Sequence, residues 1–191
     1  MKLPLLMLCC TLMFTGCGQS QSKGTPAQTP VPNEVKTNGQ DRKTAQYPSP
    51  KEIKADGPWV ILQRTYPSGR LEYVRVNEGL RPIVGHTSYP RLAKIVAANK
   101  KSIDGIPTPS EEKILGDIED TLVASLELDN ESLFAGVVTG FGKKEFVFYT
   151  SNEASLRKKI TVLSKRFKRP LSVEVSDDPK WDYFLSLKTD Q

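Results

Sequence analysis

Two segments of this chain carry apolar residues at helical spacing, and strand-like runs stand on both sides of each. That order confines the fold more than any other feature. In "TPSEEKILGDIEDTLVASLE" (residues 108–127), Ile114, Leu115, Ile118, Leu122 and Leu126 line one face of a helix. Thr108 is placed to cap it, Pro109 suits the first helical position, and Glu111 completes a capping box. In residues 151–169, Leu156, Ile160, Leu163 and Phe167 form a second stripe, Thr150 and Glu153 offer another capping box, and Pro170 ends the helix. Between the helices, Leu133–Gly140 and Glu145–Thr150 read as a hairpin turning through Gly142. Arg91–Asn99 reads as a strand before the first helix, although its alanines suit a helix equally, and Leu171–Ser176 alternates as a last strand. Strand, helix, strand, strand, helix, strand from Arg91 to Ser176 predicts an α+β fold. Its form is a ferredoxin-like split β-α-β sandwich, an antiparallel sheet with both helices on one face. Upstream, Trp59–Tyr66 and Arg70–Asn77 flank Pro67-Ser68-Gly69, an extra N-terminal β-hairpin that widens the sheet or covers its open face. Residues 78–90 read as a loop, and "DDPKWDYFLSL" closes a single domain spanning residues 51–191.

The first 50 residues belong to a different physical class. Lys2 precedes an apolar run, Leu3–Phe14, that is too short for a membrane-spanning helix, which needs about 20 residues. This is the pattern of a secretory signal over residues 1–16. Its end, Phe14-Thr15-Gly16-Cys17, resembles the bacterial lipoprotein processing site, which places cleavage between Gly16 and Cys17 and makes Cys17 the lipidated residue. A thiolate is the side chain best suited to take up a lipid as a thioether, and two or more acyl chains anchor a protein stably in a bilayer. Cys9 and Cys10 leave with the signal, so no cysteine beyond Cys17 remains for a disulfide or a thiolate metal site. Residues 17–50 are rich in Pro, Gln, Ser and Thr and read as a disordered tether, with a reach of roughly 30 Å. The expected location is the cell envelope. Gly18 resembles the pattern sorted to the outer membrane, which implies its periplasmic face, or the outer face of the cell membrane where no outer membrane exists.

The formal charge of +5 falls to +4 on loss of Lys2, too mild a bias for a nucleic-acid binder. The charge is unevenly divided. Residues 111–129 hold seven acids and one base, whereas residues 151–169 hold one acid and seven bases. On the second helix Arg157, Lys158, Lys159, Lys165, Arg166, Lys168 and Arg169 lie away from the apolar stripe and face solvent. Arg157, Lys158, Lys165, Arg166, Lys168 and Arg169, with Trp181, are the candidate partner-binding residues. Two other accounts of the bases are complementarity to the acidic helix and attraction to an anionic membrane.

Catalytic patterns are sparse. His86 in "VGHTSYP" is the sole histidine, which excludes a two-histidine metalloprotease motif, and there is no Gly-x-Ser-x-Gly elbow to pair with it. "GVVTGFGKK" has the wrong spacing for a phosphate loop and joins strand to strand instead of opening a helix. Phe146 and Phe148 lack the basic-Gly-aromatic lead of an RNA-recognition strand. The adjacent carboxylates Glu111/Glu112 and Asp177/Asp178 are explained by capping. No catalytic residue, metal or cofactor is therefore expected. The leading expectation is an interaction module that binds an envelope protein. A hydrolase built on His86, Asp177 and Asp178 stands second, and an aromatic ligand pocket around Trp59, Trp181 and Tyr183 third.

"DGIPTPSEEKILGDIEDTLVASLE", "FAGVVTGFGKKEFVFYT" and "SDDPKWDYF" together resemble the bacterial family called domain of unknown function 695. The resemblance spans roughly residues 57–186 and includes a closing Asp-Pro-x-Trp-x-Tyr, here Asp178, Pro179, Trp181 and Tyr183. More distantly the chain is similar to the ribonuclease E inhibitor protein B family. That resemblance implies an α+β fold and a binding role, with no catalytic residues to carry over; export would separate this chain from a ribonuclease partner.

Overall fold

The computed structural model describes residues 47–189, so Gly16, Cys17 and the tether up to residue 46 lie outside the described residues. The described residues all belong to one compact unit. In chain order its elements are β1 (Trp59–Thr65), β2 (Leu71–Asn77), β3 (Arg91–Ala98), β4 (Ser102–Ile103), β5 (Ile106–Pro107), α1 (Pro109–Leu126), β6 (Ser132–Gly140), β7 (Lys143–Thr150), α2 (Glu153–Phe167), β8 (Leu171–Asp177) and α3 (Asp182–Ser186). The fold is α+β. Six strands form one sheet in the order β1-β2-β6-β7-β3-β8, and every pairing is antiparallel. The N-terminal hairpin widens this sheet, because β2 pairs with β6.

The turns follow from local chemistry. Phe141 (φ 52°) and Gly142 (φ 77°) make a two-residue connection between β6 and β7, the twist-matched geometry for a tight hairpin. Asp104 and Gly105, also at positive φ, close the small β4–β5 hairpin.

Both faces of the sheet are buried. On one face Ala93, Ile95, Phe146 and Phe148 pack under Leu115, Ile118 and Leu122 of α1 and Leu156, Ile160 and Leu163 of α2. On the other, Val74, Leu92, Val147 and Tyr149 pack under Leu80, Tyr89, Trp181 and Phe184, from the 78–90 segment and α3. The central strands β6 and β7 are accordingly apolar on both faces.

Three local expectations are corrected. Ile114 is exposed, because the buried stripe of α1 begins instead at Glu111. Glu111 does not close a capping box with Thr108; its carboxylate accepts from the Lys100 amide and pairs with Arg169 at 2.7 Å. At α2 the cap is Asn152, whose Oδ1 accepts from the Ser155 amide, while Glu153 pairs with Arg157 and Arg91.

Candidate functional site

The helices do not cover the whole sheet. No side chain of β1 or β2 enters the core beneath α1 and α2. The register sets Ile61 beside Arg75 and Gln63 beside Tyr73, with Val137 and Thr139 of β6 next across. This leaves a shelf on the helix side of the sheet. Trp59 is 38% exposed and Ile61 68% exposed. A groove of about 280 Å³ runs along it, with Ile61, Tyr73, Arg75, Thr139 and Lys144 in its lining and Pro107 and Glu112 on its far wall. A second groove of about 710 Å³ adjoins it at Tyr73, Ile106 and Pro107, beside the Ser68–Leu71 turn.

The shelf's charges are neutralised internally. The buried Lys144 ammonium lies 2.7 Å from Glu112 and 3.2 Å from Glu119. Arg75 pairs with the other oxygen of Glu119 and holds its guanidinium 5.3 Å from the Trp59 ring, which in turn packs on Phe134. Arg64, the charged residue of β1, turns to the opposite face, where it pairs with Glu72 and donates to the carbonyls of Ser186 and Leu187. The shelf thus offers an apolar, aromatic rim and an edge strand. Its Lys144 is engaged by two carboxylates, and no nucleophile-base pair lines it.

The two sheet edges differ. Along β8, Arg157 donates to the outward carbonyl of Val173, and Glu174 and Asp177 are exposed, devices that discourage strand pairing. On its helix-side face β1 exposes Trp59, Ile61, Gln63 and Thr65 and no charge. The sequence set Trp59 in a shared aromatic pocket with Trp181 and Tyr183, whereas its half-exposed ring stands at a sheet edge and Trp181 is buried. The unbroken apolar run Trp59–Leu62 carried the signal, because it supplies apolar side chains to both faces of the strand, and the Trp59/Ile61 face is the more exposed.

The proposed hydrolase residues have separate structural duties. His86 is buried, its Nε2 2.9 Å from the Pro48 carbonyl and its Nδ1 accepting from the Ser88 amide, with Tyr47 and Tyr89 against its ring. Asp178 accepts from the Asp182 and Tyr183 amides and from the Tyr149 hydroxyl at 2.6 Å, so it caps α3. Asp177 pairs with Arg91. No hydrogen-bond partner is shared among the three, and the cavity beside His86 is lined by neither aspartate. Burial, then the hydrogen bond to Asp178, pushes the Tyr149 hydroxyl well above its ordinary value, and burial pushes Tyr89 up to about 12. These are hydroxyls held protonated as donors.

Two partner-binding candidates are corrected. Trp181 is fully buried, stacked 4.0 Å from Tyr149, its indole N–H donating to the Tyr89 carbonyl, so it shares no pocket with Trp59. Arg169 is buried against Glu111. Arg157 is exposed and paired with Glu153, and Lys159 pairs with Asp129. Lys158, Lys165, Arg166 and Lys168 are exposed and form no ion pair among the described residues.

A family of unknown function (DUF695) matches residues 68–187. No curated protein matches the chain.

Proposed function

The chain belongs to the family of unknown function DUF695, and from that premise we propose that it is a non-catalytic protein-interaction module held in the bacterial cell envelope by a lipid on Cys17. The β1 edge carries this reading. It is an edge strand without guarding charge on its helix-side face, and its Trp59 and Ile61 project beside a groove able to take alternate side chains of an added strand. Residues 17–50 then serve as the tether that lets the edge reach a partner away from the bilayer. The unit β3-α1-β6-β7-α2-β8 is, on this reading, a ferredoxin-like split β-α-β sandwich with the β1–β2 hairpin added. Its sheet order, β6-β7-β3-β8, supports that.

The test uses the full chain in intact envelopes with a photo-crosslinking residue at Gln63, on the shelf, or at Glu174, on the guarded edge. The expected result is one defined protein adduct from position 63, lost on Ile61→Lys and absent from position 174. The same adducts from both positions, or none from 63, sink the proposal. Fractionation tests the anchor: Cys17→Ala is expected to move the chain from the membrane to the soluble fraction.

A further inference from the structure

The outer surface of α2 is a second exposed feature, and the β1 shelf does not account for it. Leu156, Ile160 and Leu163 face the core, so the helix has one inward stripe. Lys158, Val162, Lys165 and Arg166 fall at i, i+4, i+7 and i+8 on the opposite side and are all exposed, and Lys168 follows the helix end. Val162 is 61% exposed, and Leu128, just past the end of α1, is 77% exposed. The two share the rim of a shallow groove with Lys158 and Lys159.

The acids nearest this ridge do not neutralise it. Glu153 is taken by Arg157 and Arg91, Asp129 by Lys159, and Glu131 accepts from the Asn152 amide group. Asp177 pairs with Arg91, and Glu174 pairs with Lys94. On α1 the exposed Asp117 and Asp120 remain, so an anionic surface would be met with α2 leading and α1 tilted away.

We propose that the α2 ridge, Lys158, Val162, Lys165, Arg166 and Lys168 with Leu128, docks the domain on an anionic phospholipid surface. The chemistry matches on both counts. Lysines and arginines with no acid partner supply attraction to lipid phosphates, which falls off within a Debye length. Exposed aliphatic groups between them can enter the headgroup layer while the long basic side chains keep their charges at its surface. From Lys158 to Lys168 the ridge runs about 15 Å along the helix axis, and the groove beside Val162 and Leu128 is shallow, so the basic side chains stand where a plane can meet them. Docking through the ridge requires neither a strand at the β1 edge nor a lipid on Cys17.

Residues 44–191, which contain both hydrophobic cores, are suitable for the test without signal or acyl chain. Co-sedimentation is measured with vesicles of phosphatidylcholine alone and of phosphatidylcholine with phosphatidylglycerol, at low and at high salt. Binding to the anionic vesicles only, and its loss at high salt, is expected. Each ridge lysine contributes roughly a fivefold factor in partitioning. Lys158→Ala with Lys165→Ala therefore lowers it roughly 25-fold, and the double reversal to Glu lowers it further. Reversing the exposed Lys54 and Lys180, off the ridge, changes the charge equally and should cost under about fivefold. Equal losses from the two double reversals, equal binding to neutral vesicles, or no binding to anionic ones overturns the proposal. So does a ridge-dependent dimer in sedimentation equilibrium with no vesicle binding, which would make the acidic α1 of a second copy the occupant.

Discussion

Glu127, at the C-terminal end of α1, accepts from the Phe134 amide beside the irregularity in β6 where the register with β7 shifts. Burial raises its carboxyl above the ordinary value, and that one hydrogen bond only partly opposes the rise. A carboxyl raised on folding favours the protonated native state. Its contribution is complete below the ordinary carboxylate value and is lost as pH climbs through the raised one. Glu127→Gln keeps an acceptor for Phe134 and removes the charge. Thermal unfolding should show the variant gaining on the parent as pH rises from acid to neutral. A constant difference across that range would show that the carboxyl does not titrate between the two states. Glu111 has the opposite sign, because the Arg169 guanidinium holds its carboxyl low, and the stability it supplies is lost on acidification. In the sequence Glu111 reads as a capping-box residue and Glu127 as one of the acids of α1. Their difference comes from what the fold brings to them, a guanidinium from 58 positions away in one case and a backbone amide in the other.

Among the elements, α3 depends most on tertiary contacts. Five residues cannot hold a helix alone. Asp178 caps its first turn, Tyr149 binds both Asp178 and the Phe184 amide, and Arg64 offsets the partial negative charge of its last carbonyls by donating to Ser186 and Leu187. Tyr149→Phe removes one partner from a buried carboxylate and leaves the Phe184 amide without its acceptor, at a cost of about 1–3 kcal/mol. Urea unfolding measures it; a loss below about 0.5 kcal/mol would mean that water replaces the hydroxyl there. The motif Asp178-Pro179-x-Trp181-x-Tyr183 was visible in the sequence, but its work was not. Trp181 sits at φ 60°, a left-handed backbone unusual for so large a residue, and this turns its indole into the core. The long elements were legible because their apolar periods are clear: α1, α2 and the β6–β7 hairpin stand close to where period and turn chemistry place them. Caps were less legible, since Asn152 and Glu111 are chosen by long-range partners as well as by local sequence. The candidate site was least legible, because the exposure of Trp59 depends on where α1 stops covering the sheet.

At the scale of the molecule, two cores share one set of central strands. β6, β7 and β3 contribute alternate side chains to each, Phe148 to the helix side and Val147 and Tyr149 to the other. A packing fault on one face therefore shifts the pleat that the opposite face packs on. Phe148→Ala should cost about 3–5 kcal/mol, and it should do so in a single transition, seen alike by a probe of the helices and by the fluorescence of the buried Trp181. If the helical signal were lost first while Trp181 stayed buried, the α3 side would be a separately stable layer. A single transition has a functional corollary. The β1 shelf and the α2 ridge lie toward opposite ends of the sheet order, with β1 at one edge and α2 packed against β8 at the other. In a rigid, cooperative domain substitutions at such separated surfaces add. Ile61→Lys should thus abolish the adduct at the shelf and leave vesicle binding unchanged, while Lys158→Glu with Lys165→Glu should do the reverse. If either substitution removed both properties, the two surfaces would be parts of a single site.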